Sequence, residues 1–249
     1  MLGRKKLITV FFITHGGRMF ANKVIIVTGA AGNVGSALAR VLASRGARVV
    51  LVDTIRDRLS AVKEALEGSG HLAYSEYDLT DSAASKALVA KVQSTCGRLD
   101  GVGTTVGGFA MARLEDAGLD QWDAMFRLNV KTTWNIYQAA VPVIREGGGG
   151  ALVGIGSAAG LRGSAQMAAY SATKSAVMRL TESLADELRA DRIRVNAVLP
   201  TTIDTPQNRA AMPGADTSLW VQPSEVAEAM TFLLSDAASG VSGALLPVG

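Results

Sequence analysis

The segment Val27–Gly35, VTGAAGNVG, decides the fold because it joins an apolar β run directly to a helix through a glycine-rich turn. Glycine lets the backbone approach a pyrophosphate closely, and the free N–H groups at the helix N-terminus attract its negative charge. Any tight β-to-α connection also uses glycine, which is the alternative interpretation. The position after the first strand favours a dinucleotide site, formed by Gly29, Gly32, Asn33, Val34 and Gly35.

Apolar runs of strand length alternate with amphipathic stretches of helix length along the rest of the chain. We predict strands at 23–28, 48–53, 72–79, 101–106, 151–157, 194–200 and 243–248, and helices at 34–44, 56–67, 82–95, 119–144, 167–189 and 224–234. Strands that are apolar throughout and separated by helices indicate a parallel sheet covered on both faces. The predicted fold is therefore α/β, a single doubly wound Rossmann-type domain with a seven-stranded, mainly parallel sheet. Ligands of such folds bind beyond the carboxyl ends of the strands.

The net charge of +3 comes from the N-terminal segment and not from a binding face. Residues 1–18 hold four of the 25 basic residues and no acidic one, which leaves 21 basic and 22 acidic residues elsewhere. A basic tail on a nearly neutral domain argues against nucleic acid as a partner. We expect residues 1–19 to be a flexible appendage and residues 20–249 to form one domain.

Two further features bear on location. The apolar run at 7–13 is far shorter than the roughly 20 residues that span a bilayer, so we predict no membrane partner. Cys96 is the single cysteine, which rules out an intrachain disulfide. A reducing compartment, the cytoplasm, is the predicted location, and no metal site is predicted.

Asp53 ends the second predicted strand, about 20 residues beyond the glycine turn. A carboxylate there accepts hydrogen bonds from ribose hydroxyls and repels a 2′-phosphate. Aspartate is also a favoured helix N-cap, so a structural role is the alternative. We expect NAD(H) as the favoured cofactor, while the nearby Arg56 and Arg58 keep NADP(H) possible.

The pentapeptide YSATK places Tyr170 and Lys174 four residues apart in a predicted helix. Residues at this spacing share a helix face, so the lysine charge can act on the phenol. A neighbouring ammonium favours the phenolate, and we expect it to lower the pKa of Tyr170 from its ordinary value near ~10. The alternative is a tyrosine packed inward beside a lysine that extends to water.

The glycine turn, Asp53, Asp78-Leu79, Asn129, Ser157, Tyr170 and Lys174 together resemble the classical short-chain dehydrogenase/reductase family over essentially all of 20–249. The spacing from Ser157 to the Tyr-x-x-x-Lys motif is the specific part of this resemblance. It implies that Tyr170 is the general acid/base, that Ser157 binds the carbonyl oxygen and that Lys174 also holds the nicotinamide ribose. It implies that Asn129 supports a water chain to the lysine, and that Asp78, followed by Leu79, lies near the adenine amino group. Cofactor contacts are implied for Thr105, Val106, Gly107, Pro200, Ile203 and Thr205.

Several positions depart from the family pattern. Asn33 stands at the second glycine of the phosphate turn, and Thr201 replaces the glycine after Pro200. The sequence Thr104-Thr105-Val106-Gly107 replaces the usual Asn-Asn-Ala-Gly. The segments 105–111 and 197–220 resemble dihydropteridine reductase, a divergent member of the family, so we expect a substrate loop at 201–222.

The favoured function is hydride transfer between a nicotinamide cofactor and a small carbonyl/alcohol substrate such as a 3-oxoacyl thioester, a sugar or another ketone. Ser157 suits a carbonyl oxygen, which ranks these substrates above a quinonoid dihydropterin. A catalytically silent NAD(P)-binding sensor or scaffold is the alternative of another class. A homo-oligomer, a dimer or tetramer, is predicted from small residues that permit close helix–helix approach, although they could also pack inside one chain: Ala168, Ala169, Ala172, Ser175 and Ala176.

Overall fold

Seven strands and eight α-helices make up residues 19–249, the part of the chain that the computed structural model describes. The strands are β1 (Val24–Thr28), β2 (Arg48–Val52), β3 (Leu72–Tyr74), β4 (Gly101–Thr104), β5 (Gly150–Ile155), β6 (Ile193–Pro200) and β7 (Leu245–Val248). The helices are α1 (Asn33–Ser44), α2 (Arg56–Glu64), α3 (Ser82–Cys96), α4 (Leu119–Phe126), α5 (Thr132–Glu146), α6 (Ala168–Glu187), α7 (Pro206–Ala211) and α8 (Pro223–Leu234). The predicted appendage lies outside the described residues, apart from Met19. No helix within 19–249 combines the length and the apolar character needed to span a membrane.

The sheet has the strand order β3-β2-β1-β4-β5-β6-β7, and every neighbouring pair is parallel. The order reverses between β1 and β4, because β2 and β3 extend one way from β1 while β4 to β7 extend the other. In open α/β sheets, ligands bind at this switch point, beyond the carboxyl ends of the strands. The predicted α/β doubly wound Rossmann-type fold is confirmed.

The sheet separates two apolar cores, since alternate residues of a strand point to opposite faces. Ile25 and Val27 of β1 pack on one face with α1 and α8. Val24 and Ile26 pack on the other face with α3 and α5. Burial on both faces explains why the strands are apolar at nearly every position.

Four strands end earlier than predicted, including β2 at Val52 instead of 53 and β5 at Ile155 instead of 157. In the other two, β3 and β4, polar side chains bond to the backbone beyond the end of the strand. β3 ends at Tyr74 instead of 79, and Asp78 accepts a hydrogen bond from the Thr80 N–H at 2.9 Å in a turn. β4 ends at Thr104 instead of 106, and the Thr105 hydroxyl donates to the Thr28 carbonyl at 2.8 Å.

The long helix predicted at 119–144 is interrupted. Helices α4 and α5 are joined by a π-helical turn at Arg127–Lys131, which holds one more residue than an α-turn. Asn129 lies in this turn and is almost fully buried. Helix α2 is also shorter than predicted and ends at Glu64 instead of 67.

Candidate active site

A cavity of about 240 Å³ opens at the carboxyl edge of the sheet, next to the β1/β4 switch point. It brings together most of the sequence-predicted site residues, namely Gly32, Asn33, Val34, Gly35, Thr105, Gly107, Ser157, Tyr170, Lys174, Pro200, Ile203 and Thr205. Gly108, Phe109, Ile155, Gly156 and Thr201, which the sequence did not single out as site residues, also line it. Residues from six loops or helices thus meet in one place, although they are up to 173 positions apart in sequence.

The glycine turn leaves no room for side chains at two positions, so that its backbone packs closely against neighbouring atoms. Gly29 has φ +68°, and a Cβ there would lie 2.7 Å from Thr105 Oγ1 and 2.8 Å from the Val106 nitrogen. A Cβ on Gly35 would overlap the Gly29 carbonyl. Gly32 is the N-cap of α1 and no side chain caps this helix end, so the first amides of α1 face the cavity without an intrahelical partner. Such a cradle fits a pyrophosphate.

Asp53 anchors the same turn through both carboxylate oxygens. Oδ2 accepts a hydrogen bond from the Ala31 N–H and Oδ1 accepts one from the Ile55 N–H, each at 3.0 Å. Asp53 therefore does have a structural role, between the phosphate turn and the start of α2. Each oxygen keeps a second lone pair, so a ribose contact is compatible with this role.

Asp78 and Leu79 do not line the cavity. Asp78 is exposed beside its turn, whereas Leu79 is buried and its carbonyl accepts a hydrogen bond from Asn135 Nδ2 at 2.9 Å. Val106 also stays outside the lining. Their predicted adenine and cofactor contacts stay predictions.

Ser157, Tyr170 and Lys174 converge inside the cavity. Tyr170 and Lys174 lie on one face of α6, and the Ser157 side chain lines the same cavity. Ser157 also accepts a hydrogen bond from the Ala159 N–H at 3.2 Å, which fixes the short turn after β5. Lys174 Nζ donates to the Ile155 carbonyl at 3.1 Å and lies 5.8 Å from the centroid of the Tyr170 ring.

The pKa of Tyr170 is raised, which is opposite to the sequence-based expectation. Burial of the phenol is the main cause, and the hydrogen bond with Ser157 opposes it. The ammonium of Lys174 is directed toward the Ile155 carbonyl instead of the phenolic oxygen, and burial lowers the pKa of Lys174 to about 8. The phenol therefore stays protonated at neutral pH and is suited to donating a proton.

Asn129 holds the backbone of the loop after β4. Its Oδ1 accepts from the Gly108 N–H at 2.8 Å, while Nδ2 donates to the Gly108 carbonyl at 3.1 Å and to Thr173 Oγ1 at 3.0 Å. Asn129 does not line the cavity itself, and Thr173 lies next to Lys174 in α6. The side chain thus ties the cavity loop to the helix that carries the tyrosine and the lysine.

The loop at 201–222 is anchored at its ends and also contacts the glycine turn. Asp204 binds the Arg209 guanidinium through both oxygens, at 2.5 and 2.7 Å, and accepts from Gln222 Nε2 at 2.9 Å. These hydrogen bonds lower the pKa of Asp204 to about 2. Across the cavity, Asn33 Nδ2 donates to Gln207 Oε1 at 3.0 Å.

A larger cavity, about 690 Å³, opens at the opposite edge of the sheet. Three of its charged groups serve the fold: Asp100 binds Arg98 and the Val24 N–H, and Arg194 donates to carbonyls at the end of α8. We therefore assign the candidate chemistry to the smaller cavity.

Phe109 is the functional candidate that sequence reasoning missed. Its ring meets the Tyr170 ring edge to face, with centroids 4.9 Å apart and planes at 80°. The two residues are 61 positions apart, and a single aromatic residue after Gly107-Gly108 gives no sequence signal for this contact.

This fold and site define a nicotinamide-nucleotide oxidoreductase. The chain belongs to the short-chain dehydrogenase family, whose model matches residues 23–215. It is 37% identical over 242 residues to the cis-4-hydroxycyclohexanecarboxylate dehydrogenase of Sinomonas cyclohexanicum, covering 93% of this chain and 97% of that protein. It is 33% identical over 235 residues to the 3-oxoacyl-[acyl-carrier-protein] reductase of Thermotoga maritima, covering 91% and 96%. An NAD+-bound xylitol dehydrogenase structure superposes with a TM-score of 0.85 at 28% identity, covering 92% of this chain and 98% of that one.

Proposed function

We propose that the protein transfers hydride between NAD(H) and a small carbonyl/alcohol substrate, with Tyr170 as the general acid/base. One observation carries the proposal: Tyr170 and Ser157 share a cavity with Lys174 and the uncapped N-terminus of α1. A proton donor and an anion-binding helix end are thus within one small space.

In the reductive direction, Tyr170 Oη donates its proton to the substrate carbonyl oxygen, and the raised pKa keeps that proton in place at neutral pH. The Ser157 hydroxyl hydrogen-bonds the same oxygen and stabilises the charge that develops on it. Lys174 lies behind Tyr170 and also contacts the ribose in this proposal. Asn129 keeps the loop after β4 in place and supports a water chain to Lys174.

The cofactor, when bound, supplies the hydride in reduction or accepts it in oxidation. The first amides of α1 hold its pyrophosphate, and the Asp53 carboxylate accepts hydrogen bonds from the ribose hydroxyls. NAD(H) is preferred because the Asp53 carboxylate repels a 2′-phosphate. A nucleotide-bound relative of the same fold carries NAD+.

The substrate is a small ketone or secondary alcohol, a class that includes the hydroxycyclohexane and 3-oxoacyl substrates named for two relatives. Ser157 supports this class, because its hydroxyl shares the cavity with Tyr170 and can donate a hydrogen bond to a carbonyl oxygen. Reduction of a quinonoid dihydropterin stays a prediction from the 201–222 segment alone.

A substrate screen with NADH and NADPH, run on the wild type and on Tyr170→Phe, tests the proposal. We expect turnover of a ketone, a preference for NADH, and a loss of about 10²- to 10⁴-fold in Tyr170→Phe. Undiminished turnover in that variant would remove Tyr170 from the chemistry. Tight NADH binding without oxidation by any ketone or pterin would favour the sensor or scaffold.

Assembly and location complete the proposal. Ala169, Ala172, Ser175 and Ala176 stay half-buried on α6 in the single chain, which supports a dimer or tetramer formed through this helix. A monomer on light scattering at micromolar concentration would contradict this. The lone Cys96 supports a cytoplasmic location.

A further inference from the structure

Phe109 is assigned no role in the proposed proton transfer or cofactor binding, yet it lies beside the proposed proton donor. The Phe109 ring packs against the Tyr170 ring, with the two centroids 4.9 Å apart, while 56% of the Phe109 surface is exposed. Phe109 also lines the cavity. A substrate whose carbonyl oxygen reaches Tyr170 brings the groups on its carbonyl carbon close to this apolar surface.

The backbone fixes Phe109 from both sides. Gly108, the preceding residue, exchanges two hydrogen bonds with the buried amide of Asn129, at 2.8 and 3.1 Å. Further along, the Ala112 N–H donates to the Gln166 carbonyl at 2.9 Å and ties this loop to the segment that leads into α6. The backbone that carries the ring is therefore held in place on both sides, which a specificity determinant requires.

The side of the cavity that Phe109 forms offers little to a charged or heavily hydroxylated substituent. Among the described residues that line the cavity, Lys174 alone is charged, and its Nζ is bonded to the Ile155 carbonyl. The loops that form the cavity also expose several large apolar side chains, namely Met111, Leu161, Met212 and Leu219. A carboxylate or a row of hydroxyls packed against the Phe109 ring would lose water without gaining a hydrogen-bond partner from that ring.

We propose that Phe109 is a specificity-determining residue that selects a neutral ketone or secondary alcohol whose carbonyl carbon carries an apolar ring or alkyl group. The substituent packs on the open side of the Phe109 ring and excludes water from Tyr170 Oη. This inference rests on the proposed function, since it names the substrate on which Tyr170 acts.

Three small ketones measured with NADH test the proposal: cyclohexanone, dihydroxyacetone and pyruvate. We expect the wild type to have its highest kcat/KM with cyclohexanone. Phe109→Ala should lower kcat/KM for cyclohexanone by about tenfold or more and leave dihydroxyacetone within about twofold. Phe109→Leu should keep most of the cyclohexanone activity, because an apolar surface persists. Trp134→Ala is the control, since it removes another partly exposed aromatic residue, from α5 outside the cavity lining.

Two outcomes would overturn the inference while leaving the proposed function intact: a wild type that prefers dihydroxyacetone or pyruvate, or an equal loss on all substrates in Phe109→Ala. NADH binding and the thermal midpoint are measured for each variant, so that a folding defect is recognised and the Phe109→Leu result then decides. A wild type that binds NADH but reduces none of the ketones would instead refute the proposed function, and the inference with it.

Discussion

Replacing Lys174 by methionine should stabilise the fold at neutral pH, because the wild type buries an ammonium. Burial lowers the pKa of Lys174 from 10.5 to about 8. At 1.36 kcal/mol per pKa unit, keeping this side chain charged in the folded state costs about 3 kcal/mol. Loss of the hydrogen bond to the Ile155 carbonyl removes about 1 kcal/mol, so the expected net gain for Lys174→Met is about 2 kcal/mol.

The pH dependence isolates the charge. The folded-state pKa lies below the unfolded-state value, so below about pH 8 the lysine is charged in both states and the full penalty applies. The penalty fades as the pH rises from about 8 to 10.5, where the folded state has released its proton and the unfolded state has not. The advantage of Lys174→Met should therefore shrink by about 2–3 kcal/mol between pH 7 and pH 10.

Urea unfolding followed by tryptophan fluorescence at these two pH values measures the effect at fixed protein concentration. Lys86→Met is the matched control, because Lys86 is exposed on α3 and its replacement should change stability equally at both pH values. A Lys174→Met advantage that is absent at pH 7, or that does not change with pH, would refute the burial argument. Lys174→Met should be inactive at both pH values. Lys174 would then be a residue that lowers the stability of the wild type while it is required for activity.

Three further changes probe the site. Gly35→Ala should weaken NADH binding by about tenfold or more in a fluorescence titration, because the added methyl overlaps the Gly29 carbonyl in the phosphate cradle; unchanged affinity would contradict this geometry. Asn129→Ala should lower the free energy of unfolding, measured in urea, by about 2–3 kcal/mol, since the Gly108 backbone and Thr173 lose buried partners. A change below about 0.5 kcal/mol would show that these hydrogen bonds contribute little to stability. Asp53→Asn should move the ratio of kcat/KM for NADH over NADPH toward NADPH by about tenfold, because the repelling charge is gone; an unmoved ratio would assign Asp53 to the turn alone.

Local patterns in the sequence predicted the sheet, the glycine turn and the shared face of Tyr170 and Lys174. Each depends on residues close together in the chain, where period and spacing are informative. The overextended third strand has the same origin: the mixed polar and apolar residues at 75–79 imitate a strand, while the turn set by Asp78 depends on one hydrogen bond.

Contacts between distant segments left no such signal. Asn129 stands in an unbroken helical pattern, and its neighbours in sequence predict neither a π turn nor the two hydrogen bonds with Gly108. The direction of the Tyr170 pKa was mispredicted for a related reason. Spacing alone implied a lysine charge acting on the phenol, whereas the structure adds burial and directs the ammonium to Ile155.

The π turn between α4 and α5 also constrains how this chain can change length. Each residue of a helix advances the side-chain direction by about 100°, so the surplus residue sets the two flanking helices out of phase with each other. Helix α4 packs on α6 while α5 packs on α3. In one straight helix, the buried residues of both segments would have to follow a single helical periodicity. Deleting a single residue at 127–131 would leave composition almost untouched, yet would swing the whole of α4 around its axis and turn buried Met125 away from the cavity loop. Natural shortening of this segment is therefore expected to occur by whole turns or not at all.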